Sequence, residues 1–483
     1  MTWSLRIGLN SASILFLAAT ALASTPVVTV TSPASNATVD APVHFVATAT
    51  SPSCSQGISA IRIYSAPGVS AYTVSGGQLN GYISLANGAY NTTVVAWDNC
   101  GGVGSAPVAI TVKAQSAPAG FLYVTNSNWS PNTTSTVNNV IGYTIVAGGK
   151  GALAQTLQGP VTTNIFPLSV ASDKGGYRLY VGDYASGDVY AYYIYGNDGY
   201  LYPVPGSPFP VNRSVTAVAV HPSGDYVFAA RNEDAAGDGI EVFEVQSDGS
   251  LVQAPGSPYA TENGPRTMVV DPSGKYLYVG DDYDYLEAFK IGANGSLTPL
   301  PGAPYAMTGG GECGVNPNDI IDTVGTHLYT ADRGDNSISG YDINSSTGVP
   351  TQISGSPWSS EGGCDPYVLP SLAFDPFSLA IDGTGKFLYG LNGDIESISI
   401  FKINQSTGAL TWVQDTTNTT GMQPGPIRTD PTGNYIYATG NGGIVVYTIN
   451  HSTGALTASP SSPIPVPETG NAYWTSFAVA PPQ

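Results

Sequence analysis

Two acidic stretches are the first places where this sequence could do chemistry: residues 280–285 (GDDYDY) and 232–239 (NEDAAGDG). Clustered carboxylates beside backbone carbonyls suit a hard cation, so Ca²⁺ is the metal such loops could hold, although neither has the spacing of a known calcium loop. Arginine beside acid offers a different chemistry, in which a guanidinium polarises a carbonyl and a carboxylate activates water. Arg231, Arg266 and Arg333 all lie close in sequence to such acids. Histidine chemistry is not on offer. His44 falls in a short alternating run, His221 and His451 in turns, and His327 at a surface position before an apolar pair, so each has a structural slot. This argues against a histidine-based triad and a His-rich metal site. No P-loop, CxxC or HExxH pattern appears.

The elements that must position these residues are short strands. From Gly264 to Tyr305 the chain reads as four of them: Met268–Val270, Tyr276–Val279, Leu286–Ile291 and Leu297–Leu300. Asp271-Pro272-Ser273-Gly274 and Asn294-Gly295 are turns between runs of branched and aromatic residues. The unit recurs. Leu277-Tyr278 has counterparts at Leu122, Leu179, Val227, Leu328, Leu388 and Ile436, spaced by 57, 48, 50, 51, 60 and 48 residues. A four-stranded unit of this length repeated seven times predicts an all-β, seven-bladed β-propeller. The first unit lacks an inner strand and the chain ends on a spare one, Ser476–Ala480, which is expected to fill the vacancy and remove an open sheet edge. A further recurring segment, as in Pro205–Phe209, Pro255–Tyr259 and Pro301–Tyr305, is expected to put proline on the outer edge and pack its aromatic against the neighbouring blade.

Ahead of the repeats, residues 1–23 carry one charge, Arg6, and an apolar segment ending in Ala21-Leu22-Ala23, which reads as a signal peptide. The protein is therefore expected outside the cytoplasm: secreted, periplasmic or on the cell surface, with no membrane insertion once the signal is removed. Residues 24–113 hold roughly seven short alternating runs, the size of an immunoglobulin-like β-sandwich. Cys54 and Cys100 flank two of these runs, as a disulfide or as two buried thiols. Residues 114–120 have linker composition, and 121–483 form the repeat region. Charge is uneven: from Ala119 onward there are 32 acids and 12 bases, a net of −20, against −19 for the whole chain. Such a surface excludes nucleic acid as a partner.

The segments FLYVTN (Phe121–Asn126), GPRTMVVDPSGKYLYV, VAVHPSGDYVFAA and ADRGDNSISGY resemble the lactonase-type seven-bladed propellers, which include 6-phosphogluconolactonase-like proteins and muconate cycloisomerases. The resemblance runs from about Gly120 to Pro481. It implies that the loops between a blade's second and third strands gather at the channel mouth, together with those leading into the next blade. On that mapping Asp183, Glu233, Asp281, Asp332, Arg333, Asp335 and Asp394 crowd one rim, and Arg428, at a position otherwise apolar, draws a partner from it. Cys313 and Cys364 fall in successive inter-blade loops on the same face, placed for a disulfide. Lactone-opening members carry a GPRH-type motif and a glutamate after the next strand. Here Gly264-Pro265-Arg266 is kept, Thr267 replaces the histidine, and Asp282 stands near the glutamate position. The expectation is a monomeric module binding a small neutral ligand, a carbohydrate or a surface protein at an acidic mouth, without a cofactor unless Ca²⁺. The rival is a divergent hydrolase opening a neutral sugar-type lactone with Arg266 and Asp282.

Overall fold

The computed structural model describes residues 25–39, 43–83, 85–113, 118–127, 138–156, 158–162, 166–195, 198–232, 237–281, 285–307, 316–323, 326–333, 337–359, 376–392, 397–417, 425–440, 443–460, 462–464 and 473–482. Seven four-stranded blades form the larger part. Blade 4 is typical, its strands Pro265–Val270, Tyr276–Asp281, Tyr285–Ile291 and Leu297–Pro299 pairing in sequence order and antiparallel. The innermost strands touch one another around the ring, which closes where Tyr473–Ala480 lies beside Pro167–Ser172 and Ile427–Thr429. That C-terminal strand is the inner strand of blade 1 and pairs antiparallel with Gly120–Ser127. The expected closure is present, with three more residues at its start than the sequence suggested.

Each recurring motif has a physical role. In the turn after the innermost strand, one oxygen of Asp271 accepts the Lys275 and Tyr276 amides, both at 2.7 Å. Asp382 and Asp430 repeat the arrangement, so DPSG and its relatives are side-chain-capped turns. His221 takes the slot in blade 3, its Nδ1 accepting the Ser223 amide. In the segments with Ser-Pro, the serine hydroxyl accepts an amide of the third strand: Ala191 to Ser207, Val242 to Ser257, Gly340 to Ser356 and Val446 to Ser462. The chain then turns back, and the aromatic pairs with its own blade's third strand, as Tyr305 does with Leu286. A free third-strand edge beyond the short fourth strand is thus completed from within the blade, while the aromatic side chain joins a cluster that spans both blades as expected, Phe209 with Val227 and Phe243 of blade 3.

The N-terminal part is a β-sandwich of eight strands rather than seven. One sheet holds Val27–Ser32, Val43–Thr50 and Gln78–Ile83; the other runs Ala37–Val39, Val103–Val112, Gly88–Asp98, Ile58–Ala66, Val69–Ser75. Phe45, Ile61, Ile63, Leu79, Val94 and Ile110 fill the space between them. Cys54 and Cys100 form a disulfide. Ile83 pairs in parallel with Gln155 of the outer strand of blade 1, so one sandwich sheet continues into the propeller.

Candidate functional site

The start of each innermost strand lies opposite the end of the second strand, as Pro265 opposes Asp281. The loops before the one and after the other therefore share one end of the ring. A β-bulge sits at this end of the innermost strand in blades 2 to 6 and in the C-terminal strand. The residues that it sets out of register are Leu168, Thr216, Arg266, Asn318, Phe377 and Thr475, so blade 4 alone among these presents a cation. Bulges re-aim a side chain at a barrel or propeller rim. Arg266 is partly exposed there, and Pro265 accepts the Thr216 hydroxyl of blade 3 through its carbonyl at 2.6 Å.

Behind this inner layer, the residue three places after the recurring aromatic of the second strand is polar in six blades: Asn126, Asp183, Arg231, Asp281, Asp332 and Asn392. Asp183, Asp281 and Asp332 are fully buried, not spread over an open rim. Asp183 accepts the amides of Phe166, Ala185 and Ser186 at 3.0, 3.1 and 2.9 Å. Asp281 accepts the Tyr285 amide at 2.9 Å and the Asn263 side-chain amide at 2.8 Å. Asp332 accepts hydroxyls of Thr330, Ser337 and Ser339. Asp183 and Asp281 thus hold the segments that donate to them, and Asp332 ties the second strand of blade 5 to the third. Arg428, half-buried, reaches the innermost strand of blade 6 and donates to Ser378 Oγ at 2.9 Å and to the Leu379 carbonyl at 3.4 Å. Arg333 closes its strand. Glu233, Asp282, Asp335, Asp394, Cys313, Cys364 and the leader at 1–23 lie outside the described residues, as does the side chain of Arg333.

Two residues that the sequence reading passed over stand on the third strands. Glu241 of blade 3 is buried and pairs with Arg231 at 3.2 Å. Glu287 holds the equivalent place in blade 4 and accepts the Glu262 amide at 2.9 Å. Burial, with the negative charge of Asp281 as a smaller contribution, pushes the Glu287 carboxyl up to about 7, against the amides of Glu262 and Asn263, which favour its charged form. A signal was available: Glu287 amid the apolar run Leu286–Ile291, matched by Glu241 in Ile240–Val245.

With a bulged arginine at the mouth of a seven-bladed ring, the chain belongs to the seven-bladed β-propeller lactonase family, whose profile matches residues 104–362 and 377–474. Its fold is similar to that of the periplasmic gluconolactonase PpgL of Pseudomonas aeruginosa, at 16% identity and a TM-score of 0.58, over 75% of this chain and 99% of the other. A candidate 6-phosphogluconolactonase of Bacteroides uniformis is similar at 19% identity and a TM-score of 0.57, over 74% of this chain and 99% of that one. A Lactobacillus plantarum protein gives 17%, 0.57, 74% and 99% for the same quantities. No curated protein sequence matches the chain significantly.

Proposed function

We propose that this protein is a lactone hydrolase that opens a neutral sugar-type lactone at the blade-4 mouth. The observation that carries the reading is Arg266, a cation on the bulge of an innermost strand whose counterparts in blades 2, 3, 5 and 6 are uncharged. Its guanidinium supplies the positive charge that an oxyanion needs as water adds to the ring carbonyl. The ring C–O bond then breaks, the departing ring oxygen takes up the proton that the base removed from the water, and the product is an open-chain hydroxy acid. Asp282, sixteen residues after Arg266 in sequence, is the carboxylate assigned to take the proton from that water.

Charge selects the substrate class. A region with a net charge of −20 repels a phosphorylated lactone and leaves a neutral one unpenalised. An exported location, proposed from the leader-like residues 1–23, fits the same class, and the similar Pseudomonas protein is a periplasmic gluconolactonase. The competing reading, a binding module with an acidic mouth, loses support because Asp183, Asp281 and Asp332 are buried and already accept hydrogen bonds from the protein itself.

The test is acid release from a panel of neutral and phosphorylated lactones at pH 6.5, with Arg266→Ala beside the wild type. Hydrolysis of neutral lactones that is lost in the variant supports the assignment. No turnover of any lactone, or equal turnover in both proteins, overturns it.

A further inference from the structure

Among the polar pairs at the ends of the second and third strands, blade 4 is the one in which two acids meet. Blade 3 pairs Arg231 with Glu241. Blade 5 joins Asp332 to Ser339, and blade 6 joins Asn392 to Ser399 at 2.8 Å. In blade 4 the same positions hold Asp281, fully buried, and Glu287, 5% exposed, near enough for the charge of one to act on the other. Both grip one segment, Thr261–Gly264. Glu287 takes the Glu262 amide, and Asp281 takes the side chain of Asn263, whose carbonyl accepts the Thr261 hydroxyl at 2.8 Å. The segment has little slack at its end, because a Cβ on Gly264 would come within 2.7 Å of Asn232. Arg266 follows two residues later.

We propose that Glu287 is a positioning residue for Arg266, holding the 261–264 segment closed through the Glu262 amide. The role assigned to Arg266 rests on the hydrolase reading above; the grip on the segment does not. Among the described residues, the charged groups acting on Glu287 are Asp281 on the second strand and Glu262 on the gripped segment, both negative. With the segment closed, the Glu287 carboxyl is raised to about 7; lifting the segment would hydrate it and return it toward its ordinary value. The closed form therefore binds the proton more tightly. Acidification tightens the segment, and ionisation as pH rises through about 7 loosens it.

Hydrogen exchange of peptides spanning 257–268, corrected for intrinsic chemical exchange, reads this directly between pH 6 and pH 8.5. The wild type should lose protection by about tenfold across that range. Glu287→Gln, whose amide oxygen still accepts the Glu262 N–H, should stay protected throughout. Asp281→Asn should move the transition to lower pH. Wild-type protection independent of pH, or the same loss in Glu287→Gln, overturns the proposal. In the activity arm, lactone turnover corrected for hydroxide should fall on the alkaline side in the wild type and stay flat in Glu287→Gln. A wild type without turnover but with the stated exchange behaviour refutes the hydrolase reading and keeps the grip of Glu287 on the segment. Turnover with pH-independent exchange does the reverse.

Discussion

The hydroxyl of Tyr278 in blade 4 donates to the carbonyl of Gly348 in blade 5 at 2.8 Å, and the bond is buried. Gly348 is the glycine of the turn between third and fourth strands, at φ 75°, and a Cβ there would run into the ring of Tyr276. One strand of blade 4 thus supplies both the ring that demands glycine and the hydroxyl that satisfies its carbonyl. Tyr123 with Gly199, Tyr329 with Gly408 and Tyr389 with Gly454 repeat the relationship at 2.9, 2.6 and 3.1 Å. The two most regular motifs of the chain, the aromatic pair and the glycine turn, are halves of one contact between neighbouring blades.

Removing the hydroxyl tests that contact. Tyr278→Phe leaves a buried carbonyl without its donor and should cost about 1–2 kcal/mol, read as a lower urea midpoint with an unchanged slope. Tyr180→Phe is the control. That hydroxyl is buried with no hydrogen-bond partner among the described residues, so its removal should be neutral or slightly stabilising. Equal losses in the two variants would mean that ring packing, and not the hydrogen bond, joins the blades.

The contact explains why the fold was legible. Every blade needs the same local chemistry, so the sequence repeats it, and the vacancy at Phe121 announces the strand that must fill it. The sandwich was less legible because Val69–Ser75 is largely exposed on both faces and shows no clean alternation. The site was legible as to Arg266, whose motif survives, but not as to the acids. Asp281 as a loop cap and an aspartate facing a ligand sit in the same kind of Gly- and Asp-rich loop, and only the register of Pro265 against Asp281 tells them apart. Glu287 was hidden by the opposite error, since a strand read by its apolar residues absorbs the charges within it.

Asp382 sets a pH dependence. Burial alone would raise its carboxyl, but Thr384, the Phe387 amide, His451 and the Lys386 amide together outweigh burial and hold it below its ordinary value. A carboxyl depressed on folding contributes stability above its unfolded value, and the contribution is lost as pH falls through the folded value. Asp382→Asn should therefore lower stability at pH 7 by about 1–2 kcal/mol. At pH 3 the gap to wild type should narrow. A gap of constant size would show that shape, and not charge, holds this turn.

The Cys54–Cys100 disulfide closes a stretch of 46 residues, for which loop-closure entropy gives about 4 kcal/mol. The bond lies wholly in the sandwich, so reduction should lower the melting of that part. Differential scanning calorimetry with and without reductant checks it, and an unmoved transition would assign the sandwich's stability to its apolar filling alone.

Closure of the ring makes the sharpest prediction. Residues 120–127 of blade 1 are buried throughout, with Tyr473–Ala480 on one side and Asn139–Ile145 on the other. Deleting residues 473–483 removes Phe477, Ala478 and Ala480 from the core and takes away the acceptor of the Thr125 hydroxyl, the Ser476 carbonyl at 3.2 Å. It also bares a long apolar strand edge, the feature that invites pairing between chains. The truncated protein should oligomerise on size-exclusion chromatography and unfold at lower denaturant. A peptide of residues 473–483 supplied in excess should restore the elution position of the full-length protein, because strand addition returns both the hydrogen bonds and the buried side chains. A truncated chain that elutes as the full-length protein does, with its stability unchanged, would place the lock elsewhere, in the contacts that tyrosine and glycine make from blade to blade.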